Sequence, residues 1–212
     1  MKECTKKVLV ELGERYPALQ PLTGGVEEAF ECLKTCYEQG GRVYVCGNGG
    51  SSSDSEHIVG ELMKSFKKKR PIAPELAAAL ADQGEIGNEL LQDLEGGLPA
   101  ISLCGHVSLT FAFLNDKNPM LTFAQQLSVM GRKGDVLIAL STSGNSKNCV
   151  YAATVARALG IKVIFLGGGT GGKLKDMADV SLIVPEKETY KVQELHLPTY
   201  HCLCAMLEEE FF

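Results

Sequence analysis

The chain has 212 residues, of which 45% are apolar and 22% are charged, and its formal net charge is -5. This composition excludes a wholly disordered chain, and the length indicates a single domain. The negative charge argues against a protein that nucleic acid or an anionic membrane holds by bulk charge. No apolar run approaches the ~20 residues that span a bilayer, and no secretory signal core follows the first residues, so we expect a cytoplasmic protein.

Five short, almost continuously apolar runs predict the strands of a sheet. They span residues 42–46, 99–104, 135–140, 161–166 and 180–184. Strands that are buried on both faces of a parallel sheet have this pattern. Helical patterns at 25–38, at 147–159 and over the last 20-odd residues alternate with them, which indicates right-handed βαβ units. The sequence therefore predicts an α/β fold with a doubly wound, five-stranded parallel sheet flanked by helices.

Residues 67–98 interrupt this alternation. The segment opens with the basic block 67–70, which we interpret as a solvated helix end, because four charges are a short run. Weakly helical residues follow at 75–94. We expect one domain over 1–212, with N-terminal helices at 1–38 and a helical insertion at about 71–98. The eight cysteines form no Cys-x-x-Cys pair, so we expect most of them to be reduced and buried.

Two strand-to-helix loops have the composition of phosphate-binding loops. The first predicted strand runs into Gly47-Asn48-Gly49-Gly50-Ser51-Ser52-Ser53, and a helix is predicted to start near Ser53 or Asp54. The third strand ends in Ser141-Thr142-Ser143-Gly144-Asn145-Ser146, where hydroxyls and backbone N–H groups can hold a phosphate. A plain Ser/Thr turn with a helix cap is the alternative. Because both loops follow strands of one sheet, we favour phosphate binding.

Two nucleotide-binding motifs match poorly. The dinucleotide fingerprint needs a third glycine where this chain has Ser52. Residues 167–173 have the spacing of a P-loop, but Leu174 stands where Mg²⁺ binding needs a hydroxyl. The sequence thus argues against nucleotide hydrolysis.

Titratable residues occur on two predicted helices. His57 and Glu61 are four residues apart and share one helix face, which is also typical of a surface ion pair. The last helix carries a set of polar residues inside an apolar run: Gln193, Glu194, His196 and His201. They are either satisfied core residues or members of a site, and their spacing does not decide between the two.

Taken together, these motifs resemble those of the sugar isomerase (SIS) domain family and, within it, the phosphoheptose isomerases. The resemblance covers most of the chain from about residue 25 to the end. Its motifs are Cys46-Gly47-Asn48-Gly49-Gly50-Ser51, His57-x-x-x-Glu61-Leu62, Asn115-Asp116, Gly134-Asp135-Val136-Leu137, Ser141-Thr142-Ser143-Gly144-Asn145-Ser146, and Gln193-Glu194 with His201. It implies a flavodoxin-like strand order and a homotetramer.

The resemblance also implies a role for each motif. Glu61 and His201 would be the catalytic acid/base pair. A zinc ion would be held by His57, Glu61, Gln193 and His201. The residues that would contact the phosphosugar are Asn48, Gly49, Gly50, Ser51, Glu61, Asn115, Asp116, Ser141, Thr142, Ser143, Ser146 and Gln193.

The expected function is an aldose–ketose isomerase of a phosphorylated sugar, with sedoheptulose 7-phosphate as the first candidate and an enediol intermediate. The alternative is a non-catalytic SIS module that binds a phosphosugar or a regulatory protein. A relative of that kind lacks the counterparts of Glu61 and His201, and this chain has both. The chain departs from characterised isomerases at Ser52-Ser53, which replace His-Cys, and in the length of residues 71–98.

Overall fold

A computed structural model describes all residues from 1 to 212. The helices are α1 (Glu3–Arg15), α2 (Thr23–Glu38), α3 (Gly50–Met63), α4 (Pro74–Ala81), α5 (Gly84–Asp93), α6 (Val107–Asp116), α7 (Thr122–Met130), α8 (Lys147–Leu159), α9 (Gly172–Lys175) and α10 (Thr189–Phe211). The strands are β1 (Val43–Cys46), β2 (Ala100–Ser102), β3 (Val136–Leu140), β4 (Lys162–Gly168) and β5 (Val180–Val184). Short 3₁₀ turns lie at Pro17–Leu22 and Pro119–Leu121.

The five strands form one parallel sheet with the order β2-β1-β3-β4-β5. This result confirms the predicted α/β fold and its flavodoxin-like order. Alternate side chains of each strand enter two cores on opposite faces of the sheet, as the two-residue period of a strand requires. Val43 and Val45 face α1, α2, α3 and α10, whereas Tyr44 and Cys46 face α7 and α8.

The first loop is shorter than the sequence predicted. Helix α3 begins at Gly50, three residues before Ser53, because Gly49 makes the turn with φ +56° and ψ -123°. Such a backbone conformation is open to glycine and strained for other residues. The first hydroxyls of the motif therefore lie in the first turn of the helix rather than in a loop.

Residues 71–98 contain the two helices α4 and α5. Their sole buried residue is Gly87. The ends of the segment meet, since the Gly96 N–H donates to the Arg70 carbonyl at 2.7 Å and the Leu98 N–H donates to the Leu62 carbonyl at 2.8 Å. The division into one domain with an insertion here stays a prediction.

The interpretation of the basic block as a solvated helix end is wrong for Arg70. Its side chain is fully buried and forms a 2.8 Å ion pair with Glu208 of α10. The sequence could not show this because the partner lies at the other end of the chain. Lys67 and Lys69 are exposed, as expected.

Two further expectations can be compared with the fold. All eight cysteines are free and five of them are buried, which agrees with the sequence. None of the helices is both long and apolar enough to cross a bilayer.

Candidate functional site

The first loop brings a helix start and an amide pair to the carboxyl edge of the sheet. Helix α3 begins directly after β1, so its first N–H groups lie at this edge. Asn48 and Asn148 at the start of α8 exchange two side-chain hydrogen bonds, at 2.9 and 2.7 Å. The pair ties the first loop to the helix that follows the second loop. Asn148 was not predicted, because an asparagine in the first turn of a helix is common.

The second loop presents hydroxyl groups beside the first loop. The Ser141 and Ser146 hydroxyl oxygens are 2.9 Å apart, and either can donate to the other. The Ser143 hydroxyl accepts a hydrogen bond from the Asn145 N–H at 3.3 Å. Thr142 uses its carbonyl to accept the Gly168 N–H from β4. The loop is therefore fixed by short-range bonds that leave hydroxyls near a helix start, an arrangement suited to an anion.

The P-loop look-alike after β4 supports this second loop. Gly144 has φ +67°, and a Cβ atom there would lie 1.8 Å from the Gly171 carbonyl oxygen. The Lys173 N–H also donates to the Asn145 side chain at 3.2 Å. Residues that mimic a nucleotide motif thus act here as a backbone support for the Ser/Thr loop.

A cleft of about 300 Å³ opens next to the first loop. It is lined by Gly47, Asn48, Gly49, Ser52, Cys104, Thr110, Leu114, Pro119, Met120, Thr122, Phe123 and Asn148. Asn115 and Asp116 are not among the lining residues. They are exposed at the end of α6 and hydrogen-bond to each other at 2.9 Å. Cys104 is a lining residue that the sequence analysis did not select.

Three predicted site residues converge where α3 and α10 meet. His57 Nε2 lies 3.1 Å from Glu61 Oε1 and 3.4 Å from His201 Nε2. One ligand atom from each residue can be chosen so that all lie within 4.8 Å of one another. The second carboxylate oxygen of Glu61 is buried and has no hydrogen-bond partner. Two imidazole nitrogens and a carboxylate are donors that zinc accepts, so this group can hold a divalent cation.

A second layer of polar groups lies behind His57. The Tyr200 hydroxyl is 3.1 Å from His57 Nδ1 and 3.2 Å from Asp54 Oδ1. Burial raises the pKa of Asp54, although Tyr200 and His57 act in the opposite direction. Burial and then the neighbouring His57 lower the pKa of His201, against the effect of Glu61. The lowered pKa favours the neutral imidazole, the form that binds metals.

The structure separates the two histidines that spacing could not distinguish. His196 is fully buried, with Nε2 at 3.3 Å from the Gly167 carbonyl oxygen and Nδ1 without a partner. Burial lowers the pKa of His196 to about 4. His196 is thus a neutral core residue, whereas His201 faces His57 and Glu61.

Gln193 of α10 lies against Gly50, the first residue of α3. It is therefore at the opposite end of α3 from Glu61. A Cβ atom on Gly50 would be 2.7 Å from Gln193 Nε2. Gly50 precedes His57 by seven residues, which is two turns and about 10 Å along a helix. Gln193 therefore borders the first loop, and its prediction as a metal ligand stays a prediction.

Arg70 and Glu208 hold the backbone behind the three titratable residues. Arg70 donates to the carbonyl oxygens of Glu61 and Leu62 at the end of α3, at 2.9 and 2.7 Å. The Glu208 carboxylate accepts the N–H groups of Phe66, Lys67 and Lys68 as well as the Arg70 guanidinium. Burial alone would raise the pKa of Glu208, but these donors outweigh it and lower the pKa. The pair fixes the end of α3 against α10.

A second cavity, of about 180 Å³, adjoins His201 on the side of α1. Its lining includes Arg15, Tyr16, Phe66 and Lys67. The titratable group thus has open space on the side away from the sheet. The face of α3 thus carries hydroxyls and free N–H groups at its start and two titratable side chains about 10 Å further on.

Comparisons with known proteins show which proteins this chain is similar to. The SIS-domain family model matches residues 17–96 and 98–168. A phosphoheptose isomerase from Akkermansia muciniphila is 30% identical over 212 residues, which cover 100% of this chain and 99% of the relative. One from Helicobacter pylori is 36% identical, with 99% and 91% covered. The structure of a phosphoheptose isomerase from Francisella tularensis superposes with a TM-score of 0.74 at 30% identity, and covers 98% of this chain and 94% of that one.

Proposed function

The chain belongs to the phosphoheptose isomerase family of SIS-domain proteins and is an isomerase of phosphorylated sugars, and we propose that it converts sedoheptulose 7-phosphate to an aldoheptose 7-phosphate through an enediol. The observation that carries the proposal is the placement of His57 and Glu61 on the face of α3 that begins at the first loop, with His201 of α10 facing them. A phosphate at the start of α3 leaves the carbonyl end of a seven-carbon sugar within reach of this group.

The phosphate end would be held without fixed positive charge. We assign it to the N–H groups of Gly49 and Gly50, to Ser51 in the first turn of α3 and to the hydroxyls of the second loop, Ser141, Thr142, Ser143 and Ser146. Asn48 and Gln193 flank this end and would bond the sugar hydroxyls. Asn115 and Asp116 would reach the sugar from the end of α6.

At the other end, Glu61 would be the base. Its partnerless Oε2 is available to remove the C1 proton of the ketose and to return a proton at C2. The neutral His201 imidazole would move a proton between the O1 and O2 hydroxyls. These two transfers together interconvert the ketose and the aldose with no net gain or loss of protons.

We further propose zinc as the cofactor, bound by His57, Glu61, Gln193 and His201. Glu61 Oε1 and the facing His57 and His201 nitrogens fit such an ion, which leaves the partnerless Oε2 to act as the base. When bound, the ion would supply positive charge for the oxyanion that develops on the sugar.

Turnover in D₂O tests the reaction. Purified protein, zinc and sedoheptulose 7-phosphate should give an aldose that carries deuterium at C2, as seen by mass spectrometry. Glu61→Gln keeps the shape of the side chain but removes the base, so activity should fall by about 10²–10⁴-fold. Glu28→Gln on the exposed face of α2 is the matched control and should keep full activity.

Two outcomes would decide against this function. Near-full activity of Glu61→Gln would remove Glu61 as the base. No turnover of any phosphoketose by the zinc-supplied protein would favour the non-catalytic module that binds a phosphosugar or a protein. His201→Asn should lose turnover but keep the fold, since an asparagine retains a polar group at that position.

We also propose that the protein is a cytoplasmic homotetramer. The exposed apolar side chains on α5 and on α6 support an assembly, because exposed apolar surface can mark a contact with other subunits. They include Ile86, Leu90, Val107, Leu109 and Phe111. Light scattering at micromolar concentration should give four times the mass of one chain, and a monomer there would refute the tetramer.

A further inference from the structure

The polar groups around His57 are one proton short of a complete hydrogen-bond network. His57 Nδ1 faces the Tyr200 hydroxyl, which also contacts Asp54 Oδ1. His57 Nε2 faces Glu61 Oε1 and His201 Nε2. A neutral imidazole has one N–H and a phenol has one O–H. His57, His201 and Tyr200 therefore supply at most three protons for four contacts: Tyr200 with Asp54, Tyr200 with His57, His57 with Glu61, and His57 with His201.

Either position of the imidazole proton leaves one carboxylate without a donor. If His57 is protonated at Nε2, it donates to Glu61, and Tyr200 donates to Nδ1. Asp54 then has no donor at all, since its other oxygen is buried without a partner. If His57 is protonated at Nδ1, it donates to the Tyr200 oxygen, and Tyr200 donates to Asp54. The lone pair of Nε2 then faces the Glu61 carboxylate.

A cation beside Nε2 resolves this conflict in favour of the second arrangement. A cation held by His57 Nε2, Glu61 and His201 would supply the positive charge that the missing proton does not. Each of these three groups would then direct a lone pair at the cation. On the other side of the ring, His57 Nδ1–H donates to the Tyr200 oxygen, and the Tyr200 O–H donates to Asp54. Each of these two donors then has an acceptor. A charge-assisted bond from a hydroxyl to a carboxylate is also stronger than one between neutral groups.

We infer that Asp54 and Tyr200 are positioning residues that lock His57 in the Nδ1–H form and thereby set the affinity of the site for a divalent cation. This inference rests on the metal site of the proposed function. Tyr200 is 2% exposed and makes edge-on contacts with the rings of both His57 and His201, so its ring is held in place independently of its hydroxyl.

Zinc affinity measured by competition with a chelating indicator tests the inference without reference to activity. Removal of the hydroxyl in Tyr200→Phe should weaken zinc binding by about 10- to 100-fold, the usual cost of losing an outer partner of a histidine ligand. Asp54→Asn should weaken it in the same direction, because an uncharged amide accepts the Tyr200 proton less well. Tyr37→Phe is the matched control, since the Tyr37 hydroxyl is buried without a partner on α2, and its zinc affinity should not change.

Nitrogen-15 NMR of the histidines in the zinc-loaded protein supplies a second readout. Wild type should show one Nδ1–H proton that exchanges slowly with water, and this protection should be lost in Tyr200→Phe. Equal zinc affinity of wild type and Tyr200→Phe, or an unchanged Nδ1–H signal, would overturn the role of the pair while the metal site stands. No zinc binding by wild type would instead remove the metal site itself.

Discussion

The two ends of the α3 face are built by different means. At the loop end, turns, glycines and hydroxyls that lie within six residues of one another form each of the two loops. At the titratable end, side chains from α3 meet side chains from α10 that lie about 140 residues later in the chain. A buried ion pair holds the second end, whereas backbone contacts hold the first. Local sequence thus specifies the loops, and long-range packing specifies the acid/base group.

The largest loss of stability should follow from breaking the Arg70–Glu208 ion pair, which holds the titratable end of α3. Arg70→Met leaves Glu208 buried without its cation, and breaking such a pair costs about 3–5 kcal/mol of the free energy of unfolding. Urea denaturation measures this loss. Lys6→Met removes a cation from an exposed pair with Glu3, where solvent screens the attraction, and should leave the free energy of unfolding almost unchanged.

A double variant sharpens this prediction. Replacement of both members of a buried ion pair by apolar residues is often neutral. Here Arg70→Met with Glu208→Leu should not recover stability, because the N–H groups of Phe66, Lys67 and Lys68 lose their acceptor. A double variant as stable as wild type would show that the backbone bonds to Glu208 contribute little.

The loop end should be most sensitive at Gly144. Gly144 and Gly84 have almost the same φ, +67° and +68°, but only Gly144 faces a backbone oxygen where a Cβ would be. An alanine in this backbone region costs about 1–2 kcal/mol at either position. At Gly144 the new Cβ atom would also clash with the Gly171 carbonyl oxygen. This clash should lower the free energy of unfolding by a further amount of about 1–3 kcal/mol, the usual cost of overpacking. Equal losses for Gly144→Ala and Gly84→Ala in urea denaturation would contradict the close approach.

The sequence could predict the features that depend on neighbouring residues, but not those that depend on contacts between distant parts of the chain. The apolar runs predicted the strand number and the parallel sheet, because these are local patterns, whereas phosphate binding by the two loops stays a prediction. The start of α3 was misplaced by three residues, because Gly49 alone makes the turn. Arg70 was misinterpreted and Tyr200 was not selected, because the partners that define their roles lie far away in the chain. The choice of His201 over His196 came from family resemblance, not from spacing.

His196 provides a pH-dependent test of how α10 is held to the sheet. Its pKa of about 4 lies below the ordinary 6.5, so between these values the unfolded chain binds more protons than the folded one. Stability should therefore fall as the pH falls from 6.5 towards 4, by about 3 kcal/mol at ~1.4 kcal/mol per pKa unit. His196→Gln can still donate to the Gly167 carbonyl but does not titrate. Urea denaturation at several pH values should show that the free energy of unfolding of this variant changes less with pH than that of wild type. If both proteins lose stability equally as the pH falls, His196 is not the group responsible.

The smallest effect concerns the hydroxyls of the second loop, which make few contacts with the rest of the chain. Ser141→Ala and Ser143→Ala together should weaken binding of the phosphosugar by about 1–3 kcal/mol, roughly 5- to 150-fold, because phosphate oxygens lose their donors. Calorimetry in the Glu61→Gln background separates binding from turnover. Ser128→Ala is the control, since Ser128 is an exposed residue of α7 that bonds only the Gln125 carbonyl. If the double variant binds as tightly as Ser128→Ala, the start of α3 holds the phosphate alone, and the second loop serves only to position α8.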